Sequence, residues 1–201
     1  MLGAAHALFA ESGYAAVTMD DVAAEVGVTK PLLYNYFGNK ERLYIACMER
    51  AGDALLATIA DAVGATASPG DALGEGLSAF FTFLDADRAA WAVLFDETLP
   101  HGGVVAERVG DYRRRILDTV SAAILAQMPA RSRSRARMEV EGLSVAALGA
   151  AEALARWWLA TQTMSAQEAA ELLMSMLEPG LRQRSAPTGK QRKSNRKGTR
   201  G

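Results

Sequence analysis

Apolar residues recur at intervals of three and four along almost the whole 201-residue sequence, and this spacing constrains the fold more than any other feature. Residues spaced in this way share one face of an α-helix. Alanine, leucine and glutamate, which favour helices, are frequent, whereas alternating runs of β-branched residues, which would indicate strands, are missing. The sequence therefore predicts an all-α protein, and no internal repeat interrupts it.

Capping residues and breakers divide the pattern into about nine helices. The predicted ranges are 2–12, 19–26, 30–37, 40–63, 72–86, 88–95, 104–127, 135–162 and 166–178. Predicted N-caps are Thr18, Thr29, Asn39 and Ser165. Gly27 ends the second helix after two turns, so two short helices meet at a glycine turn. The fourth predicted helix is long enough to link two domains.

Composition excludes several classes of protein. Cys47 is the single cysteine, so intramolecular disulfides and clusters of thiolate ligands are excluded, and a reducing cytoplasm is expected. No apolar run reaches eighteen residues, and the N-terminus lacks the pattern of a secretion signal. Two distant histidines and no phosphate-binding glycine loop make an enzyme the weaker hypothesis. We therefore expect no metal and no other cofactor.

Charge is distributed unevenly along the chain. The first 180 residues carry a net charge of −9, whereas residues 181–201 hold eight Lys or Arg and no acid. This basic tail has too few apolar residues to offset the entropy of ordering, so it is predicted to be disordered. The charge is compatible both with a solubilising extension and with weak attraction to nucleic acid close to the nucleoid.

The segment GVTKPLLYNYFGNK, residues 27–40, combines a proline, three aromatic residues and two lysines. On a helix over 30–37, Leu33 and Phe37 share one face, which is expected to pack on the two preceding helices. The remaining polar and aromatic side chains then point outward. Two short helices joined by a glycine turn are typical of a helix-turn-helix. Lysine and tyrosine can donate hydrogen bonds to the phosphates and base edges of a duplex, and leucine can contact a thymine methyl group.

Residues 7–49, ALFAESGYAAVTMDDVAAEVGVTKPLLYNYFGNKERLYIACME, resemble the N-terminal DNA-binding domain of the TetR family of bacterial transcriptional regulators. The matching positions are Leu8, Phe9, Gly13, Tyr14, Thr18, Val22, Ala23, Gly27, Val28, Leu33, Tyr34, Tyr36, Phe37 and Lys40. The resemblance implies a three-helix helix-turn-helix domain over 1–50 and a larger helical effector-binding and dimerisation domain over 51–180. The basic tail over 181–201, identified from its charge, follows them.

The resemblance also implies which side chains bind double-stranded DNA. Phosphate contacts are expected from Thr18, Tyr34, Tyr36 and Lys40, contacts to bases or their neighbouring phosphates from Thr29, Lys30, Pro31 and Leu32, and either kind from Asn35. Residues 1–50 carry a net charge of −2, so binding is expected to rest on few phosphate contacts in each subunit. The acidic second helix also leaves open a helical protein-interaction adaptor that has lost specific DNA binding.

The larger half contains scattered aromatic residues that are candidates for an effector pocket. The predicted lining is Phe80, Phe83, Trp91, Phe95, Tyr112 and Trp157, which would favour a small hydrophobic effector. Arg113 or His101 is a candidate for one polar contact. Each of these aromatic residues is alternatively a simple member of the core.

The helix predicted over 135–162 contains a run of small residues that would allow a close approach by another helix. These residues are Gly142, Ala146, Ala147, Gly149, Ala150 and Ala153, and the last helix carries an apolar stripe of Leu172, Leu173, Met176 and Leu177. Together they predict half of a four-helix bundle in a homodimer, unless both helices pack only within the monomer. The predicted function is a repressor that the effector releases from a palindromic operator.

Overall fold

A computed structural model describes residues 1–95, 99 and 102–185. In this part of the chain the helices are α1 (Leu2–Ala16), α2 (Met19–Val26), α3 (Lys30–Phe37), α4 (Lys40–Gly64), α5 (Pro69–Ala86), α6 (Arg88–Leu94), α7 (Val104–Ala126), α8 (Ala130–Thr161) and α9 (Ala166–Ser185). These residues include no β-strand. The all-α prediction and the helix order are confirmed.

Four helix ends differ from the prediction by three residues or more, and one of them is the end of α1, at Ala16 rather than 12. Helix α5 begins at Pro69 rather than 72, because Ser68 Oγ accepts a hydrogen bond from Asp71 N at 3.2 Å and caps the helix. Helix α8 begins at Ala130 rather than 135, and no capping side chain marks its start. Helix α9 continues to Ser185, so the backbone of the first five residues of the predicted tail is helical. Pro179 follows the predicted end of this helix at 178. A proline within a helix removes one backbone hydrogen bond, but the chain can remain helical on both sides of it. The rest of the predicted tail, 186–201, lies outside the described residues.

Helix α1 contains the break that its glycine predicts. Gly13 has φ +77° and ψ 159°, a left-handed φ that suits a residue without Cβ, and one further helical turn follows it. Tyr14 then packs edge-on against the buried ring of Tyr44, with 4.9 Å between ring centroids. This break turns the end of α1 toward the start of α4.

Helix α4 joins the first three helices to the rest of the molecule. It packs against α1, α5, α6 and α7. Tyr44, fully buried on α4, donates a hydrogen bond to the carbonyl oxygen of Val93 on α6 at 2.6 Å. Cys47, also on α4, is buried, and burial raises the pKa of its thiol to about 11, so the thiol stays protonated near neutral pH. A displacement of α4 would therefore reach both parts of the molecule.

Helix α7 is held against α4 by close packing around one glycine. A Cβ at Gly52 would lie only 2.7 Å from Cε1 of the Tyr112 ring, closer than carbon atoms can approach. The Tyr112 hydroxyl donates to Asp53 Oδ1 at 2.8 Å and lies 3.2 Å from the Glu49 carbonyl oxygen. Burial raises the pKa of Tyr112 to about 12, so the hydroxyl remains a donor. Within the described residues, no helix combines the length and the hydropathy that a membrane span requires.

Candidate nucleic-acid interface and internal cavity

The start of α2 is fixed by a reciprocal cap. Thr18 Oγ1 accepts from Asp21 N at 3.2 Å, and Thr18 N donates to Asp21 Oδ2 at 2.8 Å. The Thr18 hydroxyl also donates to Asp21 Oδ2 at 2.6 Å, and this hydrogen bond, together with the one from Thr18 N, lowers the pKa of Asp21, so its carboxylate stays ionised at neutral pH. Both residues are exposed, which leaves the Thr18 side chain accessible beside the cap. The cap predicted from the sequence is present in full.

Gly27 forms the turn between α2 and α3, and Leu33 anchors α3 in the core. Gly27 ends α2 in the left-handed conformation, with φ +71° and ψ 33°, and its N–H bonds back to the end of α2. Helix α3 then begins after Thr29, whose side chain makes no capping hydrogen bond within this helix. Leu33 is 0 % exposed and Phe37 is half-buried, so this face of α3 is buried as expected. Helix α3 packs against α2, as predicted, and against α4.

The opposite face of α3 is open to solvent. All seven predicted contact residues on or just before this helix are exposed: Thr29, Lys30, Pro31, Leu32, Tyr34, Asn35 and Tyr36. The exposed fraction reaches 66 % at Tyr36, 40 % at Tyr34 and 39 % at Leu32. Large apolar and aromatic side chains are costly to leave in water unless a partner covers them. The geometry therefore presents α3 as a contact surface.

Lys40 has a different environment from the other predicted contact residues. Its Nζ donates to the Tyr14 carbonyl oxygen at 2.9 Å and lies 4.5 Å from the centroid of the Tyr14 ring. The side chain is half-buried, and it links the start of α4 to the last turn of α1. Lys40 therefore has a structural contact that the sequence analysis did not anticipate.

The cation on α3 is held by a carboxylate of α2. Lys30 Nζ lies 2.7 Å from Asp20 Oδ1 and 2.9 Å from Asp20 Oδ2, and the hydrogen bond to Asp20 raises the pKa of Lys30. This ion pair is not apparent from the sequence, because the two residues are ten positions apart and meet only through the turn at Gly27. The lysine of α3 is thus already paired with a carboxylate of the same domain.

A small cavity lies between four helices of the larger half. It has a volume of about 40 Å³ and is lined by Ile59 of α4, by Leu73, Gly76, Leu77 and Phe80 of α5, by Ile116, Leu117 and Val120 of α7, and by Ser144, Ala147, Leu148 and Ala151 of α8. Ser144 is the polar residue of this lining, and its Oγ accepts a hydrogen bond from the buried Ser121 hydroxyl at 3.0 Å. A space of this size holds a few water molecules.

The predicted aromatic lining does not coincide with the lining of this cavity. Of the six predicted aromatic residues, Phe80 lines it and the other five do not. Tyr112 instead packs between α4 and α7, and Trp157 is 47 % exposed on α8, whereas the neighbouring Trp158 is buried. Helical spacing identifies an apolar face, but the rotation of each helix in the bundle decides which residues of that face border a cavity.

The remaining predicted pocket residues form their own contacts. Trp91 and Phe95 stack with 4.2 Å between ring centroids, and the Arg113 guanidinium lies 5.9 Å from the centroid of Phe95. Arg113 also pairs with Glu152, a largely buried carboxyl whose pKa is raised by burial. Phe83 is half-buried against the core, and His101 lies outside the described residues. Arg113 is thus engaged at the outer edge of α7 rather than among the residues that line the cavity.

The geometry of the three N-terminal helices agrees with comparison to known proteins. A family model described as bacterial regulatory proteins of the tetR family matches residues 1–47, and one described as a tetracyclin repressor-like C-terminal domain matches residues 69–178. The chain belongs to the TetR family. It is a DNA-binding transcriptional regulator and not an enzyme. The resemblance on residues 7–49 is confirmed.

Relatives of this TetR-family chain are regulators of the same size class. The chain is 30 % identical over 159 residues to the HTH-type transcriptional activator FasR of Mycolicibacterium smegmatis, covering 79 % of this chain and 70 % of that one. A TetR-like regulator from Rhodococcus sp. RHA1 is 29 % identical, with a TM-score of 0.71 over 90 % of this chain and 93 % of that one. FadR of Bacillus subtilis, solved with stearoyl-CoA, shares the fold at 18 % identity, with a TM-score of 0.70 over 88 % and 95 % of the two chains.

The outer faces of α8 and α9 carry exposed apolar side chains. The exposed fraction is 57 % at Val145, 44 % at Leu172 and 72 % at Met176. A Cβ at Gly142 or Gly149 would meet no atom within 4 Å, so the surface between them is open. Two predicted members of this face are buried instead: Ala147 lines the cavity, and Leu173 packs in the core at 3 % exposed. The prediction is corrected at these two positions.

A buried histidine lies where this TetR-family DNA-binding domain meets α6. His6 is 4 % exposed, and its Nε2 lies 3.9 Å from Oδ1 of Asp87, the N-cap residue of α6. Burial lowers the pKa of His6 below 6.5, and the nearby Arg50 acts in the same direction, while Asp87 and the Cys47 backbone oppose them. The buried contact between α1 and α6 therefore favours the neutral form of His6.

Protonation of His6 should weaken the fold as the pH falls. Because the folded pKa is lowered, the unfolded chain binds more protons in this range, so stability is full above the unfolded pKa of about 6.5 and is lost below it. Urea unfolding between about pH 7.5 and pH 5.5 should show a falling midpoint in the wild type and a smaller fall in His6→Leu.

Asp87→Asn is the matched control for this pH dependence. Asparagine keeps an acceptor for the hydrogen bond from Ala90 N and removes the charge that raises the His6 pKa. We expect its midpoint to fall further at acid pH than that of the wild type. Equal pH dependence in all three proteins would show that His6 does not titrate in this window.

Proposed function

We propose that this protein is a homodimeric repressor that a small hydrophobic effector releases from a palindromic DNA operator. The exposed face of α3 is the single observation that carries this proposal. DNA binding is assigned to residues 1–50, and effector binding and dimerisation to residues 51–180. Helix α3 is the recognition helix, and two copies related by a two-fold axis would enter successive major grooves about 34 to 36 Å apart.

The side chains on α3 match the chemistry of a major groove. Lys30 at the start of the helix can donate to guanine O6 and N7, and the exposed Leu32 can cover a thymine methyl group. Tyr34 and Tyr36 present hydroxyl donors to phosphates on either side of the groove. Thr29 has a hydroxyl that makes no capping bond in α3 and can contact the neighbouring phosphate. The hypothesis of a protein-interaction adaptor gives no reason for these hydrogen-bond donors and this leucine to share the exposed face of α3.

The dimer is assigned to the apolar outer faces of α8 and α9. Two helices from each subunit would form a four-helix bundle and cover Val145, Leu172 and Met176, which are exposed in the monomer. The open surface over Gly142 and Gly149 would let a partner helix approach closely. Covering such a surface removes apolar area from water, which is the main driving force of stable association.

A double substitution on α9 should abolish the dimer. Leu172→Glu with Met176→Glu places two charges at exposed positions, so the folded monomer is spared while the interface would bury four unpaired carboxylates. Light scattering after gel filtration should give about half the wild-type mass. Val104→Glu, at an exposed valine on α7, is the matched control and should remain dimeric. A dimeric double variant would assign the interface to another face.

The effector site is assigned to the cavity between α4, α5, α7 and α8. Its lining is almost entirely aliphatic, and Ser144 supplies one hydroxyl for orientation. A ligand larger than a few water molecules must spread these helices. Since Ile59 of α4 is part of the lining, spreading would displace α4 and the helices packed on its start. A ligand that binds the widened conformation more tightly than the narrow one would therefore shift the protein toward a state with lower affinity for DNA.

Release of DNA by a hydrophobic ligand tests this function directly. A labelled duplex enriched by the wild-type protein from a randomised library is titrated with protein, and fluorescence anisotropy gives Kd with and without acyl-CoA thioesters of increasing chain length. These probes are chosen because FadR, which shares the fold, was solved with stearoyl-CoA. We expect Kd to rise between about 5-fold and about 150-fold for the chain that fits. Free CoA is the control.

The sign of regulation is tested separately. FasR is named an activator, so DNA release alone does not fix the effect on transcription. Cell-free transcription on genomic fragments that the protein retains should fall when the protein is added and recover with the acyl-CoA that releases it. Increased transcription would show activation. A Kd that none of the thioesters changes would contradict the assigned effector class.

A further inference from the structure

The ion pair between Asp20 and Lys30 crosses the turn of the helix-turn-helix. Both carboxylate oxygens lie within 2.9 Å of the Lys30 ammonium, and the side chains are 63 % and 52 % exposed. Lys30 is the only cation in the α3 sequence KPLLYNYF. The second contact of its Nζ is with the Tyr34 ring, 6.0 Å away at the centroid. The ion pair thus restrains the position of the ammonium group on the recognition helix and partly neutralises its charge.

An exposed ion pair of this kind contributes little to folding, because water solvates both partners well. Its consequence falls on DNA binding. When a phosphate binds Lys30, the Asp20 carboxylate is left unpaired next to the negatively charged DNA. The positive charge gained at the phosphate is then offset by the negative charge of Asp20, so few counterions are released on binding. Residues 1–50 carry a net charge of −2, and few other cations compensate for this cost.

A base edge makes a different demand on the pair. An ammonium has three donors, so Lys30 can keep a hydrogen bond to Asp20 and still donate to guanine O6 or N7. A base edge carries no formal negative charge and does not repel the Asp20 carboxylate, so the ion pair persists in the specific complex, whereas a bound phosphate repels Asp20 and opens the pair. The Asp20 carboxylate would therefore lower the affinity for random-sequence DNA more than the affinity for the operator.

We propose that Asp20 is a specificity-determining residue, which restrains Lys30 and so weakens binding to non-operator DNA. This inference rests on the proposed role of α3 as the recognition helix. Asp20 acts through Lys30 and needs no contact with DNA itself. The expected signature is a change in the ratio of two affinities, which a purely structural role for Asp20 would not produce.

The test compares Asp20→Ala, Lys30→Ala and the double variant in the full chain. Each protein is titrated against the selected duplex and against a scrambled duplex of equal composition, over a series of salt concentrations. Asp20→Ala should bind the scrambled duplex about 8-fold more tightly per subunit at about 0.1 M salt, with a log–log salt slope steeper by about 0.9 per subunit. Its Kd for the selected duplex should change less than about 2-fold, so the specificity ratio falls.

Two comparisons separate the restraint from a general charge effect. In the Lys30→Ala background, Asp20→Ala should no longer steepen the salt slope, because no lysine is set free. Glu25→Ala removes an equal charge from an exposed position on α2 and should leave the specificity ratio unchanged. Equal tightening on both duplexes, or tightening that persists without Lys30, would overturn the proposal. If Lys30→Ala alone leaves all binding unchanged, the assignment of α3 fails instead.

Discussion

Replacing Lys30 and Tyr34 together by alanine should raise Kd for the selected duplex by at least about 100-fold. Loss of one direct base contact typically costs about 10-fold or more, and a dimer loses the contact in both half-sites. Both side chains are exposed, and Leu33 between them supplies the packing of α3, so folding should be preserved. Anisotropy titrations at fixed salt measure the effect, with circular dichroism to confirm the helical content.

The matched control for this variant removes a cation from a helix outside the proposed DNA interface. Arg131 is an exposed cation in the first turn of α8, and Arg131→Ala should change Kd by less than about 2-fold. A double variant that binds the selected duplex like the wild type would remove specific readout from α3 and favour the adaptor hypothesis. Uniform weakening on selected and scrambled duplexes would show that these residues contact phosphates only.

Local signals were enough to predict the helix-turn-helix. The cap at Thr18, the left-handed turn at Gly27 and the cap at Asn39 each involve residues within three or four positions, so short-range hydrogen bonding determines them. Once α3 is bounded, the four-residue spacing of Leu33 and Phe37 assigns their shared face to the core. These features are independent of the rest of the fold, and the structure reproduces them.

Features that depend on packing between distant helices could not be predicted in the same way. The contact of Asp20 with Lys30 requires the angle between α2 and α3, and the cavity requires the rotation of α7 and α8 about their axes. Alanine occurs on every face of α8, so its spacing does not distinguish the buried Ala147 from the exposed Ala146. The start of α8 was missed because arginines occupy its first turns, where acidic residues usually indicate a helix start.

Filling the cavity should disconnect the effector from DNA. Ala147 is 3 % exposed and lines the cavity on α8. Ala147→Leu adds three carbon atoms to a space of about 40 Å³, so the leucine occupies the volume that a ligand would use. Overpacking of this kind costs about 1 to 3 kcal/mol and leaves the fold intact in a protein of ordinary stability. The lining of the cavity includes no residue of α1, α2 or α3, so the DNA surface on α3 should be unaffected.

The two affinities of the Ala147→Leu variant decide whether the cavity is the control site. Its Kd for the selected duplex should stay within about 2-fold of the wild type, while the acyl-CoA concentration for half-release should rise at least about 10-fold. Ala122→Leu adds the same group at an exposed position of α7 and should respond like the wild type. If Ala147→Leu releases DNA at the wild-type acyl-CoA concentration, the ligand binds elsewhere. If it instead loses DNA binding without any ligand, the added side chain itself spreads the helices, which would show that widening this cavity is sufficient to move α4.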